Sequence, residues 1–285
     1  MILKIRLLEP LHVGAKQVSG LDEIGADRAL YLPTPSTALG ALAAALGEVH
    51  SDDPFKALGC SSVWGPLVDI GGELYFLSEN SLYAVGDVGK YLSAVRDLRG
   101  EEVLPRYKIR ELAKPGVRLE EKSVRNLYDV RFTWLVDSGG RPVAPGEAVV
   151  LYFIDCKKAA EIKSTTRVGG EGRVAEVEVS KGTAPIKKCK EGVLLSPLLF
   201  YSEGPYATVG VAKGLEDVEE IYGMLSKGGP PKVKSMYVGL GFSMALRSRR
   251  AVYQALPPGT ALRLRKEVSA VGLHSERGYG SLLCP

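Results

Sequence analysis

The chain has 285 residues, 45% of them hydrophobic, which is enough for one large or two small domains with a core that needs no staples. Its 37 cationic and 33 anionic side chains leave a net charge of +4, too mild an excess to name a nucleic-acid partner by itself. Cys60, Cys156, Cys189 and Cys284 form no CxxC pair, and His12, His50 and His274 have no ligand spacing; no apolar run approaches a membrane span. These absences leave no metal or cofactor motif and suggest a soluble protein of the reducing cytoplasm.

Residues 1 to 9 alternate, with Leu3, Ile5 and Leu7 opposite Lys4 and Arg6, as in a half-buried strand. A glycine-bearing connection, His12 to Arg28, leads to PTPSTALGALAAALGEV. There Thr34 suits an N-cap and Pro35 the first helical position, and Leu39, Leu42, Leu46 and Val49 form one stripe. Gly71-Gly72 between apolar runs predicts a hairpin of Val63 to Ile70 and Glu73 to Leu77, and Val88 to Leu98 reads as a shorter helix. A strand, a helix, a hairpin and a helix make most of a ferredoxin-like βαββαβ unit. Residues 100 to 147 break this plan with charges and prolines. Their two short apolar strands, near Val117 to Leu119 and Asp129 to Val136, end in the turn Ser138-Gly139-Gly140 and predict an inserted hairpin with long arms. The continuous apolar run Ala148 to Ile154 predicts a buried strand that opens a second unit.

Next comes RVGGEGR, Arg167 to Arg173, with two cations framing three glycines and one carboxylate. Glycine reaches φ > 0 and bares its N–H groups, as a closely approaching phosphate requires. The alternative is a hairpin turn whose arginines point into water. After it the pattern predicts strands at Val174 to Val179 and Val193 to Tyr201 and a helix from Leu215 to Leu225. Strands at Lys232 to Gly239, Val252 to Leu256 and Thr260 to Arg265 complete the last third. The fold class is therefore α+β, with two ferredoxin-like units: residues 1 to 147, including the inserted hairpin, and residues 148 to 285. A second glycine and arginine segment, ERGYG, closes the chain at Glu276 to Gly280.

No GxSxG elbow or P-loop occurs. An enzyme reading is confined to metal-independent RNA cleavage, with His12 or His50 as general acid or base beside a lysine. A binding reading uses what is plentiful, since single-stranded RNA is held by a cationic groove and by bases stacked on aromatic or arginine planes. Arg167, Arg173, Arg277 and Tyr279 beside Gly169, Gly170, Gly278 and Gly280 supply both, though Tyr279 suits a core position equally well. Cations also cluster at Arg106, Lys108 and Arg110; Lys187, Lys188 and Lys190; Lys232 and Lys234; Arg247, Arg249 and Arg250; and Arg263, Arg265 and Lys266. Each cluster could be a solvated strand face.

Five segments, EPLHVG, LPTPSTALGALAAAL, WGPLVDIGGELYF, RVGGEGRVAEVE, and ALPPGTALRL followed by HSERGYGSL, resemble in order the RAMP proteins of CRISPR effector complexes. The GGEGR element and the PPGT turn resemble the Cas5-like third subunit of the type III-B, or Cmr, complex. The resemblance implies a non-catalytic scaffold that grips the 5′ handle of the guide RNA (crRNA). It would dock the large Cas10-type polymerase-like subunit and neighbouring RAMP subunits, with residues 100 to 147 as a thumb. It also implies RNA-facing roles for Arg167, Gly169, Gly170, Arg173, Gly278 and Gly280. A guide-processing endoribonuclease of the same superfamily and a subunit that touches only protein are the rival expectations.

Overall fold

The computed structural model describes residues 1–14, 29–48, 52–98, 103–120, 123–170, 172–203, 207–226, 229–243 and 248–285. Val49, His50, Glu171, Arg247 and most of the connection after His12 lie outside the described residues.

In chain order the first part comprises β1 (Ile2–Leu7), α1 (Pro35–Ala45), α2 (Pro54–Ala57), β2 (Cys60–Ile70), β3 (Glu73–Ser78) and β4 (Ser81–Ala84). It continues with α3 (Val88–Arg96), β5 (Tyr107–Glu120), β6 (Ser123–Asp137), β7 (Ala148–Cys156), β8 (Ile162–Arg167) and β9 (Val174–Ser180). All nine strands share one antiparallel sheet, ordered β6-β5-β4-β3-β2-β7-β1-β9-β8. The hairpin β2–β3 therefore leads away from β1, and β7 is the strand between β1 and β2. The expected boundary at 147/148 consequently falls between β6 and β7, two strands of one sheet.

Local chemistry explains the helix that covers this sheet. Thr34 caps α1, its hydroxyl accepting from the Thr37 amide at 3.3 Å, and Pro35 fills the first helical position, where no N–H is needed. Leu39 and Leu42 then pack with Leu3, Ile5, Val150, Tyr152 and Val177 on one face of the sheet. Each fully buried leucine contributes about 2 kcal/mol by removal from water. On the other face, Val149, Leu151 and Phe153 of β7 meet Trp64, Phe76 and Tyr91. A strand buried on both faces is why Ala148 to Ile154 reads as a continuous apolar run.

The second part comprises β10 (Cys189–Leu194), β11 (Leu198–Phe200), β12 (Val218–Ser226), β13 (Gly229–Lys232), β14 (Met236–Gly239), β15 (Phe242–Ser243), β16 (Ser248–Arg249), β17 (Val252–Leu256), β18 (Ala261–Val268) and β19 (Leu282–Leu283). A five-stranded sheet runs β13-β12-β18-β10-β19, a three-stranded sheet runs β11-β17-β14, and β15 pairs with β16. Val193, Leu195, Ala261 and Leu283 complete the core on the α3 side of the large sheet, which joins the two parts.

Several expectations change here. Leu215 to Leu225 is not a helix; β12 occupies most of it and pairs with β18. Two bulges, between Val218 and Glu220 and between Ile221 and Gly223, interrupt its alternation, so its apolar residues fall at three- and four-residue spacing and imitate a helix. The predicted strand Val193 to Tyr201 splits at Pro197 into β10 and β11, which enter different sheets. The reading of a reducing compartment meets two disulfides, Cys60–Cys156 and Cys189–Cys284. Cys60 stands opposite Cys156 in the β2–β7 register, a proximity that a separation of 96 residues conceals in the sequence. Among the described residues no helix is long and apolar enough to cross a membrane.

Candidate nucleic-acid interface

RVGGEGR forms the connection between β8 and β9, with Arg167 opposite Val174 and the Val168 amide donating to the Arg173 carbonyl at 2.8 Å. Gly169 and Gly172 both adopt positive φ, +77° and +68°. The first is pressed against the exit of β1: a Cβ at Gly169 would lie 2.3 Å from the His12 carbonyl oxygen. The Gly170 amide donates to that same oxygen at 2.8 Å. The N–H expected to meet a phosphate is thus already committed, and these glycines serve close packing. Gly172 faces open space.

The two arginines of the motif part ways. Arg167 is exposed at the end of β8. Arg173 turns inward, donating to Glu9 at 2.8 Å, with its guanidinium 4.1 Å from the centroid of the Phe132 ring on β6. Glu9 also accepts from the Val174 amide at 2.5 Å. The β5–β6 hairpin is rooted at this point. Leu11 and Thr133 exchange backbone hydrogen bonds at 3.0 and 2.8 Å, and Lys114 lies 5.7 Å from the same Phe132 ring. His12 is 8% exposed and sits edge-on to Phe132. Its Nδ1 lies 2.8 Å from the Arg131 carbonyl, which can only accept, so Nδ1 carries the proton. That environment makes His12 part of the root, with Nδ1 committed to the backbone. His50 lies outside the described residues.

ERGYG is a seam between the two parts of the chain. Arg277 forms a two-pronged pair with Asp53 at 3.1 and 3.0 Å and lies 5.0 Å from the Phe55 ring centroid. Asp53 is itself the cap of α2, accepting from the Phe55 amide at 3.2 Å. Tyr279 is 1% exposed and donates to the Ser36 hydroxyl at 2.9 Å; burial raises its pKa, keeping the phenol protonated. Its ring is therefore closed to base stacking, contrary to the RNA-facing reading. A Cβ at Gly278 would meet Val63 at 2.8 Å, and one at Gly280 would meet the Val271 carbonyl oxygen at 1.7 Å, so both glycines are packing devices as well. Trp64 Nε1 donates to the Leu282 carbonyl at 3.2 Å across the same seam.

The cation clusters are also partly neutralised. Arg263 forms a two-pronged pair with Glu219, Lys266 meets Asp217, and Lys234 meets Glu79. Arg106 and Arg110 are exposed near the foot of the hairpin.

Between the two parts runs a groove of about 600 Å³ that sequence reasoning missed. Its lining takes Tyr31 and Pro33 from the first part and Met236, Tyr237 and Pro257 from the second. Glu111 and Arg131, paired at 3.1 Å, also line it, so the groove reaches the root of the hairpin. Phe132, Glu9 and Arg131 were likewise missed. A trace of Phe132 exists in RFTWLV, where alternation sets Phe132 and Trp134 on one face, but nothing local pairs them with Arg173.

Among the described residues there is no group of three or more His, Cys, Asp or Glu side chains that could hold a metal ion. No family model and no curated protein matches the chain. Solved structures share its fold, among them the following two. A chain of the cryo-EM structure of the Type III-B Cmr-beta bound to cognate target RNA and AMPPnP, state 1, has a TM-score of 0.60 and 18% identity. A chain of the Type III-B Cmr-beta bound to cognate target RNA has a TM-score of 0.61 and 18% identity. Each match covers 92% of this chain and 86% of the other.

Proposed function

We propose that this chain is a non-catalytic guide-RNA-binding scaffold subunit of a type III-B CRISPR effector complex. It grips the crRNA 5′ handle and docks the large Cas10-type polymerase-like subunit beside neighbouring RAMP subunits. The observation that carries this reading is the fold likeness over 92% of the chain to chains of RNA-bound Cmr-beta assemblies. The Cas5-like third subunit is the position we assign it, in agreement with its GGEGR and PPGT segments.

In this reading α1 and the four strands β2-β7-β1-β9 form one ferredoxin-like unit, because their order and antiparallel pairing match that plan. The first unit then extends to Ser180, β5–β6 is its thumb, and β10 to β19 form the second unit. RNA would lie along the thumb foot, where Arg106 and Arg110 are exposed, and reach the exposed Arg167 at the end of β8. The complex would be a cytoplasmic ribonucleoprotein, an exception to the rule that reducing compartments keep thiols free.

The test is incubation of the purified chain with labelled repeat-spacer RNA in chelator over a salt series. Retention of the handle without cleavage is expected. Arg167→Ala should weaken it and flatten the log–log salt slope by about 0.7, one single-strand phosphate contact. Site-specific cleavage, or equal retention of a scrambled handle, would sink the proposal.

A further inference from the structure

We infer that Arg173 is a positioning residue, fixing the β5–β6 thumb on the sheet and acting on RNA only through that thumb. This rests on the scaffold reading above for its RNA part and on geometry alone for the rest.

The argument begins with what the guanidinium already touches. One edge is bound to Glu9, on the exit of β1, at 2.8 Å, and one face lies 4.1 Å from the Phe132 centroid, on β6. Arg173 itself closes the β8–β9 turn, next to Val174 of β9. A single planar cation thus ties three segments: the exit of β1, the β8–β9 turn and the thumb. The Nε is buried without a hydrogen-bond partner, so the group is held by the pair and the ring contact. With its side chain 22% exposed, little of Arg173 remains for a phosphate.

The rest of the root shows why one residue should matter. Val143 and Arg141 pair with the outer edge of β6 at Leu135 and Asp137, and towards the thumb that edge then meets the β1 exit, through the Leu11–Thr133 pair and the His12 contact to Arg131. Both are anchored on the segment that Glu9 begins. Removing the Glu9–Arg173 pair frees that segment on one side and uncovers Phe132 on the other. Lysine cannot replace it, because an ammonium offers no flat face to the ring while it holds the carboxylate.

A phosphate contact and a positioning role predict different behaviour for Arg173→Lys. The positioning role expects Arg173→Lys and Arg173→Ala to weaken handle binding alike, by roughly five- to tenfold, with the wild-type salt slope. Hydrogen exchange on the RNA-free chain should show the Leu11 and Thr133 amides exchanging roughly five- to tenfold faster in both variants. Amides of β10 and β18, in the second part, should be unchanged. Binding restored in Arg173→Lys together with a slope reduced by about 0.7 in Arg173→Ala would make Arg173 a direct phosphate contact and overturn the inference. Unchanged exchange at Leu11 and Thr133 would overturn it as well. If the wild-type chain fails to bind the handle, the scaffold reading falls while exchange still decides whether Arg173 fixes the thumb.

Discussion

An alanine at Gly169 would have to hold φ near +77° with its methyl 2.3 Å from the His12 carbonyl oxygen, whereas at Gly172 only the backbone angle is adverse. The two glycines of one motif should therefore behave differently. Gly172→Ala is expected to cost about 1 kcal/mol from left-handed strain, and Gly169→Ala roughly 2–4 kcal/mol because a backbone clash is added. Urea unfolding of both variants decides; equal losses would mean that the packing on His12 does not constrain the turn. A second residue-scale prediction concerns His274. Its pKa is lowered, first by burial and then by the Arg277 guanidinium, against the opposing pull of Glu276 and Asp53; Tyr253 supplies a neutral hydroxyl at 3.1 Å. A depressed histidine pKa means that the unfolded chain binds more protons, so this group's contribution is present above its unfolded value, about 6.5, and is lost as pH falls through the folded one. Stability should rise from pH 5 to pH 7. His274→Asn, which tolerates the left-handed φ of +59° at this position, should flatten that rise in a pH series of melting curves. An unaltered pH profile would remove His274 as its source.

At the scale of elements, the thumb is separable from the sheet that bears it. Pro115 and Asp129 are paired in register, so joining them through Asn-Gly removes the outer hairpin and leaves the root at Phe132 in place. The shortened chain should melt close to the wild-type temperature while losing handle retention; retained binding would exclude the thumb from the RNA path. Elements with local chemistry were legible in the sequence. Thr34 and Pro35 announce α1, Gly71-Gly72 the β2–β3 turn, and the charges around the thumb its exposure. What failed depended on partners far away. The bulges of β12 exist only because β18 lies beside it, and the hairpin β2–β3 shows by itself nothing of β7 arriving between β1 and β2. The candidate site failed in the same way. RVGGEGR and ERGYG were recognisable as places where backbone approaches something closely, but whether that something is a phosphate or His12, Val63 and Val271 is a property of the folded chain.

The whole molecule is held as one body by its seam. Beyond Arg277–Asp53 and Tyr279–Ser36, the buried Tyr91 hydroxyl donates to the Gly259 carbonyl at 2.8 Å and accepts from the Leu225 amide at 3.2 Å, crossing from α3 to β12 and the turn before β18. The disulfides act within each part, closing loops of 96 and 95 residues of separation. Cys→Ala replacement of either pair should cost roughly 2–4 kcal/mol, read as a lower melting temperature by calorimetry. Reductant should then have no further effect on the doubly replaced chain. A wild-type melting temperature indifferent to reductant would show that these bonds do not form in solution.

The place of β1 between β7 and β9 has a consequence for how the chain is made. Its two neighbours, β7 and β9, are translated well over a hundred residues after it. At ribosomal speeds of about 5–20 residues per second, Leu3, Ile5 and Leu7 wait roughly ten to thirty seconds before a lasting partner emerges. Such delayed, non-local pairing is intrinsically slow, and β1 gains its second neighbour only once Ser180 has cleared the exit tunnel.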